Sequence, residues 1–185
     1  MSRVKHGAIA VSIALLLAAC SSPGSPDFWG ATSIDGLEAN QPTSVAELVD
    51  RSEVVVRGVV TDIEEGPIDN PAYAGDDFPI VALEITIAEV VEGSFPGDTI
   101  KVIMPREPTV SVASMKSTMP SEEVLVFVVH SGVEDYYATF SDLSVVTTIN
   151  DNVQAVLDPV ATEVVTRGTG TWEDVVDLVK DAARN

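Results

Sequence analysis

Few residues in this chain could carry out nucleophilic or metal chemistry. Cys20 is the single cysteine, and His6 and His130 are the two histidines. His130 ends an apolar run far from the other two, whereas zinc sites combine several His or Cys ligands. After Lys5 the chain has no Gly-x-Ser-x-Gly elbow and no Ser-x-x-Lys motif. We therefore predict no catalytic residue and no cofactor, and a small hydrolase that uses His130 is the alternative.

An acidic segment at 64–79 is the first candidate binding loop. Its sequence, EEGPIDNPAYAGDDFP, holds five carboxylates. Calcium prefers such oxygen ligands, but their spacing is not the Asp-x-Asp-x-Asp-Gly pattern. We predict no metal site. Asp69, Asp76 and Asp77 are the candidates if a cation binds, and Tyr73, Asp76 and Asp77 are candidate contacts to a partner.

The segment 105–121 is the second candidate binding loop. It contains two of the few cations, Arg106 and Lys116, and two methionines that we expect to be exposed, Met115 and Met119. About sixteen residues without regular structure is long for a loop of a compact domain, and such loops are often functional. We expect Arg106 and Lys116 to contact a protein partner.

The N-terminus has the pattern of an export signal. Arg3 and Lys5 precede thirteen uncharged residues, 7–19, which is shorter than the roughly 20 that span a membrane. This run ends in Leu17-Ala18-Ala19-Cys20, which resembles the lipobox of bacterial lipoproteins. The resemblance implies cleavage before Cys20 and a diacylglyceryl group on its thiol. We expect a signal peptide at 1–19, a flexible tether at 20–43 and one domain at 44–185.

The charge of the chain excludes one class of partner. The net charge is −19, and removal of Arg3 and Lys5 with the signal makes it −21. Nucleic-acid binding depends on basic clusters that neutralise phosphate, so we predict no nucleic-acid partner. Acylation would use the one cysteine, and the exported domain would then have neither a disulfide nor a free thiol.

The elements of the domain follow from periodicity and capping. A capping box of Ser44 and Glu47 predicts a helix over 45–51. Thr171 predicts the start of a C-terminal helix whose apolar stripe covers the barrel. Strand patterns cover 53–64, 80–92, 99–104, 123–130, 136–141, 145–149 and 153–157.

Three details of packing are also predicted. The apolar alternation of the second strand slips by one residue at Glu89, which indicates a β-bulge. In the strand over 136–141 we expect Tyr136, Ala138 and Phe140 to point inward. The apolar pair Phe28-Trp29 is expected to dock on its own domain.

Three strand sequences carry a second resemblance. SEVVVRGVVTDI, ITIAEVVEGSFPGDTIKVIM and EVLVFVV, within 48–142, resemble the netrin-like domain of tissue inhibitors of metalloproteinases and of some bacterial lipoproteins. This implies a binding module on an OB-type barrel. The inhibitors use a free N-terminal cysteine against zinc, and that mechanism is not transferred because Cys20 would be acylated.

We therefore expect a mainly β fold: a small OB-like or netrin-like barrel of five or more antiparallel strands, with a short N-terminal helix and a C-terminal covering helix. The predicted function is that of a non-enzymatic protein- or ligand-binding module. It would be anchored to the cell membrane through Cys20, face outside the cytoplasm and bind an envelope protein. A purely structural envelope protein is the other alternative.

Overall fold

The computed structural model describes residues 28–32, 41–67, 79–141, 143–149, 152–155 and 171–184. No helix within these ranges is long and apolar enough to cross a membrane. The described strands are β1 (Val54–Glu65), β2 (Ile80–Gly93), β3 (Thr99–Pro105), β4 (Glu123–His130), β5 (Tyr136–Thr139), β6 (Val145–Ile149) and β7 (Asn152–Ala155). The described helices are α1 (Val45–Arg51), α2 (Val112–Ser117) and α3 (Trp172–Ala182).

Five strands close into an OB-like barrel. Their order is β1-β2-β3-β5-β4, and β1 pairs with β4 to complete the circle. The prediction of a mainly β barrel with a C-terminal helix is confirmed. One pairing differs from the prediction of antiparallel strands, because β3 and β5 run parallel, with Lys101 opposite Tyr136. The chain crosses the barrel between them through α2 and β4, so the two strands enter from the same end.

The second edge of β4 is shared by two strands. Val128 to His130 pair with β5, whereas Val124 to Val126 pair with β6. β7 then pairs with β6 as a hairpin, which confirms the hairpin predicted around 150–152. The sheet therefore continues beyond the barrel as a two-stranded extension.

The apolar residues form one core inside the barrel and another outside it. The inner core is built from alternate residues of the five strands, with Met115 of α2 at one end. The outer core lies between the helices α1 and α3, the hairpin and the outer face of β1 and β4. Its main members are Val45, Leu48, Val55, Leu125, Phe127, Leu143, Val146, Val175, Val176 and Val179. The predicted role of the C-terminal helix as a cover is thus confirmed.

β2 bends through bulges, as the slip in its sequence predicts. Arg57 pairs with Glu89 and Gly58 pairs with Ile87, so Ala88 has no partner on β1. A second shift leaves Val91 unpaired in the same way. Each extra residue increases the local twist of the strand and helps a five-stranded sheet to close.

The predicted side-chain directions in the strand over 136–141 are wrong. Tyr137 packs against the inner core, while Tyr136 and Ala138 lie on the outer face with Ile103. The register with β3 decides this, since Tyr137 pairs with the inward-facing Val102. Phe140 packs against the outer core, not the inner one.

The segment 105–121 is not an irregular loop, because it contains α2. Ser111 caps this helix by accepting a hydrogen bond from Ser114 N–H at 3.1 Å. Met115 is fully buried and Met119 is half-buried, both against the inner core, so neither is the exposed methionine that was expected. The helix thus closes one end of the barrel.

Candidate functional site

Three rings meet at the end of the barrel where β4 turns into β5. His130 of β4 pairs with Tyr137 of β5, and their rings meet edge to face with centroids 5.5 Å apart. Phe95, from the connection between β2 and β3, also meets Tyr137 edge to face, with centroids 5.7 Å apart. Such geometry is the favoured one for aromatic pairs. We call residues 53, 92–98 and 130–137 the aromatic end.

The β4–β5 loop holds the His130 ring in place. Gly132 N–H donates to His130 Nδ1 at 3.0 Å, so the neutral ring carries its hydrogen on Nε2. Ser131 Oγ accepts from Val133 N–H at 3.2 Å, and Ser131 N–H donates to the Tyr136 carbonyl at 3.0 Å. These bonds close a tight five-residue loop. The imidazole is therefore oriented by the backbone before any ligand arrives.

The strand ends of β1, β2 and β4 are tied together at the same place. The Glu53 carboxylate accepts a hydrogen bond from His130 N–H at 3.1 Å. Gly93 has a positive φ of 80°, and a Cβ there would lie 2.4 Å from the Glu53 carbonyl. A glycine is needed at this position for both reasons. The close approach brings the loop that carries Phe95 over the barrel mouth.

Phe95 and Tyr137 are half-buried against the inner core, while His130 is exposed. The rings therefore form the floor of the barrel mouth and retain partial access to solvent. The exposed charges of the aromatic end itself are all carboxylates, from Glu53, Asp98, Glu134 and Asp135. Lys and Arg do not occur in the residues of the aromatic end.

The cations of the described residues other than Lys101 are engaged away from the aromatic end. Arg57 and Lys180 both contact the Glu89 carboxylate, and Arg184 contacts Asp181. Lys101 donates to Glu64 at 2.6 Å and lies over the Tyr136 ring on the outer barrel face. Arg51 lies over the Phe140 ring. The acidic potential at the aromatic end is consequently not balanced by a neighbouring lysine or arginine of its own loops.

Arg106 and Lys116, predicted as partner contacts, both lie at the opposite end of the barrel. Arg106 is buried, with 9% of its side chain exposed. Its guanidinium donates to Glu65 Oε2 at 3.1 Å and to the Val110 carbonyl. It is thus used inside the domain, where it holds the start of the α2 segment against β1. Lys116 is half-exposed and contacts Asp62 at 2.7 Å.

These ion pairs change the acidity of two groups on the outer barrel face. The pKa of Asp62 is lowered, first by the hydrogen bond from Lys116 and then by the one from Ile63 N–H. The pKa of Lys101 is raised, chiefly by its hydrogen bond to Glu64. Both groups are exposed to water, so each pair contributes modestly to stability.

The other predicted site residues lie outside the described part of the chain. These are Cys20, Asp69, Tyr73, Asp76 and Asp77. Among the residues that the structure does describe, no group of three or more His, Cys, Asp or Glu side chains could hold a metal ion.

Sequence reasoning missed Phe95 and Tyr137. Phe95 lies in a Gly- and Pro-containing turn, and Tyr137 was assigned to the outer face of its strand. Their contact joins residues 42 positions apart in sequence, and no local sequence pattern indicates such a contact. The one available signal is an aromatic residue placed between Gly93 and Gly97, where a turn needs no large apolar side chain.

No protein-family model, no curated protein and no solved structure matches the chain.

Proposed function

We propose that this chain is a lipid-anchored, extracytoplasmic binding module whose aromatic end holds a basic segment of an envelope protein. The role is non-enzymatic and requires no cofactor. Cys20 carries a diacylglyceryl group, and the domain stands outside the cytoplasm on the cell membrane. The 17–20 pattern and the short apolar run before it support the anchor, and the resemblance to the netrin-like domain supports a binding role.

The observation that carries the binding role is the meeting of three rings inside an acidic rim. A lysine or arginine of a partner would be attracted to the face of the Phe95 or Tyr137 ring by a cation–π interaction. Such a contact stabilises a complex by about 0.5–1 kcal/mol at an exposed site. The carboxylates of Glu53, Glu134 and Asp135 add Coulomb attraction. The His130 ring is already oriented by the β4–β5 loop, and Tyr137 contacts both His130 and Phe95, so binding orders few additional groups.

The charge of the partner follows from the same geometry. The residues of the aromatic end offer an anionic ligand carboxylates and neither lysine nor arginine, and the net charge of the chain is −19. A basic partner is steered toward such a surface, and its association slows as salt increases. We therefore propose a lysine- or arginine-bearing segment and no nucleic acid.

A defined probe tests the location of binding. The mature chain with Cys20→Ser is labelled with ¹⁵N and titrated with a sixteen-residue peptide of alternating lysine and alanine. We expect amide shifts concentrated at Phe95, His130 and Tyr137, and weaker binding at higher salt. The matched control is a peptide of the same length in which glutamate replaces lysine.

Two outcomes contradict the proposal. One is the absence of binding by the lysine peptide, which would favour a purely structural envelope protein. The other is a set of shifts spread over the acidic outer face of β1 and β2 while Phe95 and Tyr137 remain unchanged. Diffuse electrostatic attraction explains that second pattern without a site.

The native partner is sought with a photo-crosslinking residue placed at Ser94 in the lipidated protein. Ser117, which is also exposed but lies on α2 at the opposite end, is the matched position. We expect a basic envelope protein to crosslink at position 94 and not at position 117. Equal crosslinking at both positions contradicts the assignment of the aromatic end.

The anchor is tested separately. The Cys20→Ser protein is expected in the soluble fraction, folded, while the native chain sediments with membranes. Sedimentation of both proteins would show that the membrane is reached in some other way.

A further inference from the structure

The short segment 28–32 is packed into the barrel although it precedes α1 by more than ten residues. Phe28 is 3% exposed and Trp29 is 8% exposed, and their rings meet edge to face at 4.9 Å. Both rings and Ala31 belong to the inner core. The segment is therefore part of the domain, although it lies within the range predicted as a tether.

The backbone fixes where this segment docks. The Ala31 carbonyl accepts a hydrogen bond from Glu107 N–H at 2.8 Å. Thr32 folds back through its N–H and its hydroxyl, which donate to the Trp29 carbonyl at 2.9 and 2.8 Å. Glu107 follows the end of β3, beside Arg106 and α2. We call this the capped end, which comprises residues 28–32 and 106–117.

The capped end and the aromatic end lie at opposite ends of the barrel. β3 leaves the barrel at Pro105, beside Glu107, whereas the parallel strand β5 starts at Tyr136, beside His130. β4 joins the two ends through eight residues, which span about 23 Å at 3.3 Å per residue.

The docked segment also limits how far the domain can move from its anchor. Phe28 lies eight positions after Cys20, and these eight steps along the chain reach at most about 29 Å even when fully extended. If 28–32 were undocked, the next residue that the structure describes as buried would be Pro42, and the maximum reach from Cys20 to Pro42 is about 79 Å. Docking thus reduces the maximum reach by more than half.

We propose that residues 28–32 act as a strap that turns the capped end toward the membrane and the aromatic end away from it. This inference rests on the proposed lipid anchor at Cys20. The acidic surface is repelled by anionic headgroups, so the orientation comes from the strap and not from adsorption. The partner surface is thereby presented to proteins that stand off the membrane.

Docking of the strap is tested first, without any lipid. In a Cys20→Ser, Trp172→Phe background, Trp29 is the one tryptophan of the chain. We expect a blue-shifted emission and a several-fold lower acrylamide quenching constant than in the same protein denatured in urea. Quenching as strong as in the denatured protein overturns the strap.

Orientation is tested with the lipidated protein on phosphatidylcholine vesicles that carry a headgroup acceptor dye. A donor is attached at Ser94→Cys or at Ser117→Cys, since acylation uses the thiol of Cys20. We expect clearly higher energy transfer from position 117 than from position 94. Equal transfer from the two positions overturns the proposed orientation while leaving the anchor intact.

Two variants separate the strap from folding. Phe28→Ser with Trp29→Ser should remove the difference between the two labels. An insertion of fourteen Gly and Ser residues between Gly24 and Ser25 should also remove it, while Trp29 stays protected from quenching. A difference that persists after the insertion contradicts the length argument. If the native chain does not bind vesicles, the anchor fails and the orientation fails with it, whatever the quenching shows.

Discussion

His130 and Tyr137 face each other across β4 and β5, and their rings meet edge to face with centroids 5.5 Å apart. Both members of the pair have a further contact, because Gly132 N–H donates to His130 Nδ1 and the Phe95 ring meets Tyr137 edge to face. Rings that are ordered in this way lose little freedom when a ligand covers them. The paired rings therefore make the barrel mouth a preorganised binding surface. Its binding of a basic peptide can be tested by removing the surrounding carboxylates.

Neutralising the rim should weaken binding of the lysine peptide. Glu134→Gln with Asp135→Asn removes two exposed charges, and asparagine tolerates the left-handed backbone of Asp135, whose φ is 66°. Exposed pairs contribute about 0.2–1 kcal/mol each, so affinity should fall by about 2- to 30-fold. Isothermal titration calorimetry at low salt measures this change.

The matched control for the rim removes the same number of charges from the helices that cover the outer core. Asp50→Asn with Asp177→Asn changes two exposed residues of α1 and α3. We expect less than a twofold change in affinity. If this control weakens the peptide as much as the rim variant does, net charge and not the aromatic end governs binding.

Arg106 and Lys116 look equivalent in the sequence but should respond differently to removal. Arg106→Met leaves the Val110 carbonyl without its guanidinium donor, and such a loss costs about 1–3 kcal/mol. Lys116→Met breaks an exposed pair with Asp62, and its effect on the free energy of unfolding should be clearly smaller than that of Arg106→Met. Urea unfolding of the Cys20→Ser protein compares them. Equal stability of the two variants would argue against an internal role for Arg106.

The elements that the sequence predicts well are those whose signals are local. The Ser44 hydroxyl caps α1 by accepting from Glu47 N–H at 3.2 Å, as expected. The Glu47 carboxylate bonds to Thr43 N–H, one residue earlier than the capping box implies, and this bond lowers the pKa of Glu47. The β-branched run of β4 likewise predicts a buried strand, and the slip in the alternation of β2 predicts a bulge.

The features that the sequence does not reveal depend on contacts between distant segments. Tyr136 and Tyr137 are adjacent aromatic residues, so alternation alone cannot say which one points inward, and pairing with β3 decides it. The helix α2 spans only six residues, too few for a periodic pattern. The aromatic end requires both the β2–β3 and β4–β5 connections, and the closure of the barrel brings them together.

Removing Lys116 should also change the titration of Asp62. In Lys116→Met we expect the pKa of Asp62 to rise toward its ordinary value, while the hydrogen bond from Ile63 N–H keeps it partly lowered. Carboxyl-carbon NMR titration measures the shift directly. An unchanged pKa would mean that the Lys116 contact does not persist in solution.

The sign of the linked effect on stability follows from the direction of the pKa shift. The pKa of Asp62 is lower in the folded chain, so its carboxylate stabilises the fold above the unfolded pKa, and this contribution disappears as the pH falls through the folded pKa. The Lys116→Met variant should therefore lose less stability on acidification than the native chain. Lys101 behaves in the opposite sense, because its pKa is raised in the folded chain. Its ammonium group stabilises the fold below the unfolded pKa, and this contribution disappears as the pH rises through the folded pKa.

Gly58 should be the least replaceable residue of β1. A Cβ at this position would lie 2.2 Å from the Thr86 carbonyl oxygen and 2.9 Å from Ile85 Cγ2. β1 cannot shift aside, because it pairs with β2 on one edge and with β4 on the other. Overpacking of this kind costs about 1–3 kcal/mol and sometimes more, so Gly58→Ala should lower the urea midpoint markedly.

Gly97→Ala is the control, since its new methyl meets the Phe95 ring at 3.0 Å and a side chain can yield where a strand backbone cannot. Equal midpoints for the two variants would show that β1 and β2 are not packed as closely as the barrel requires.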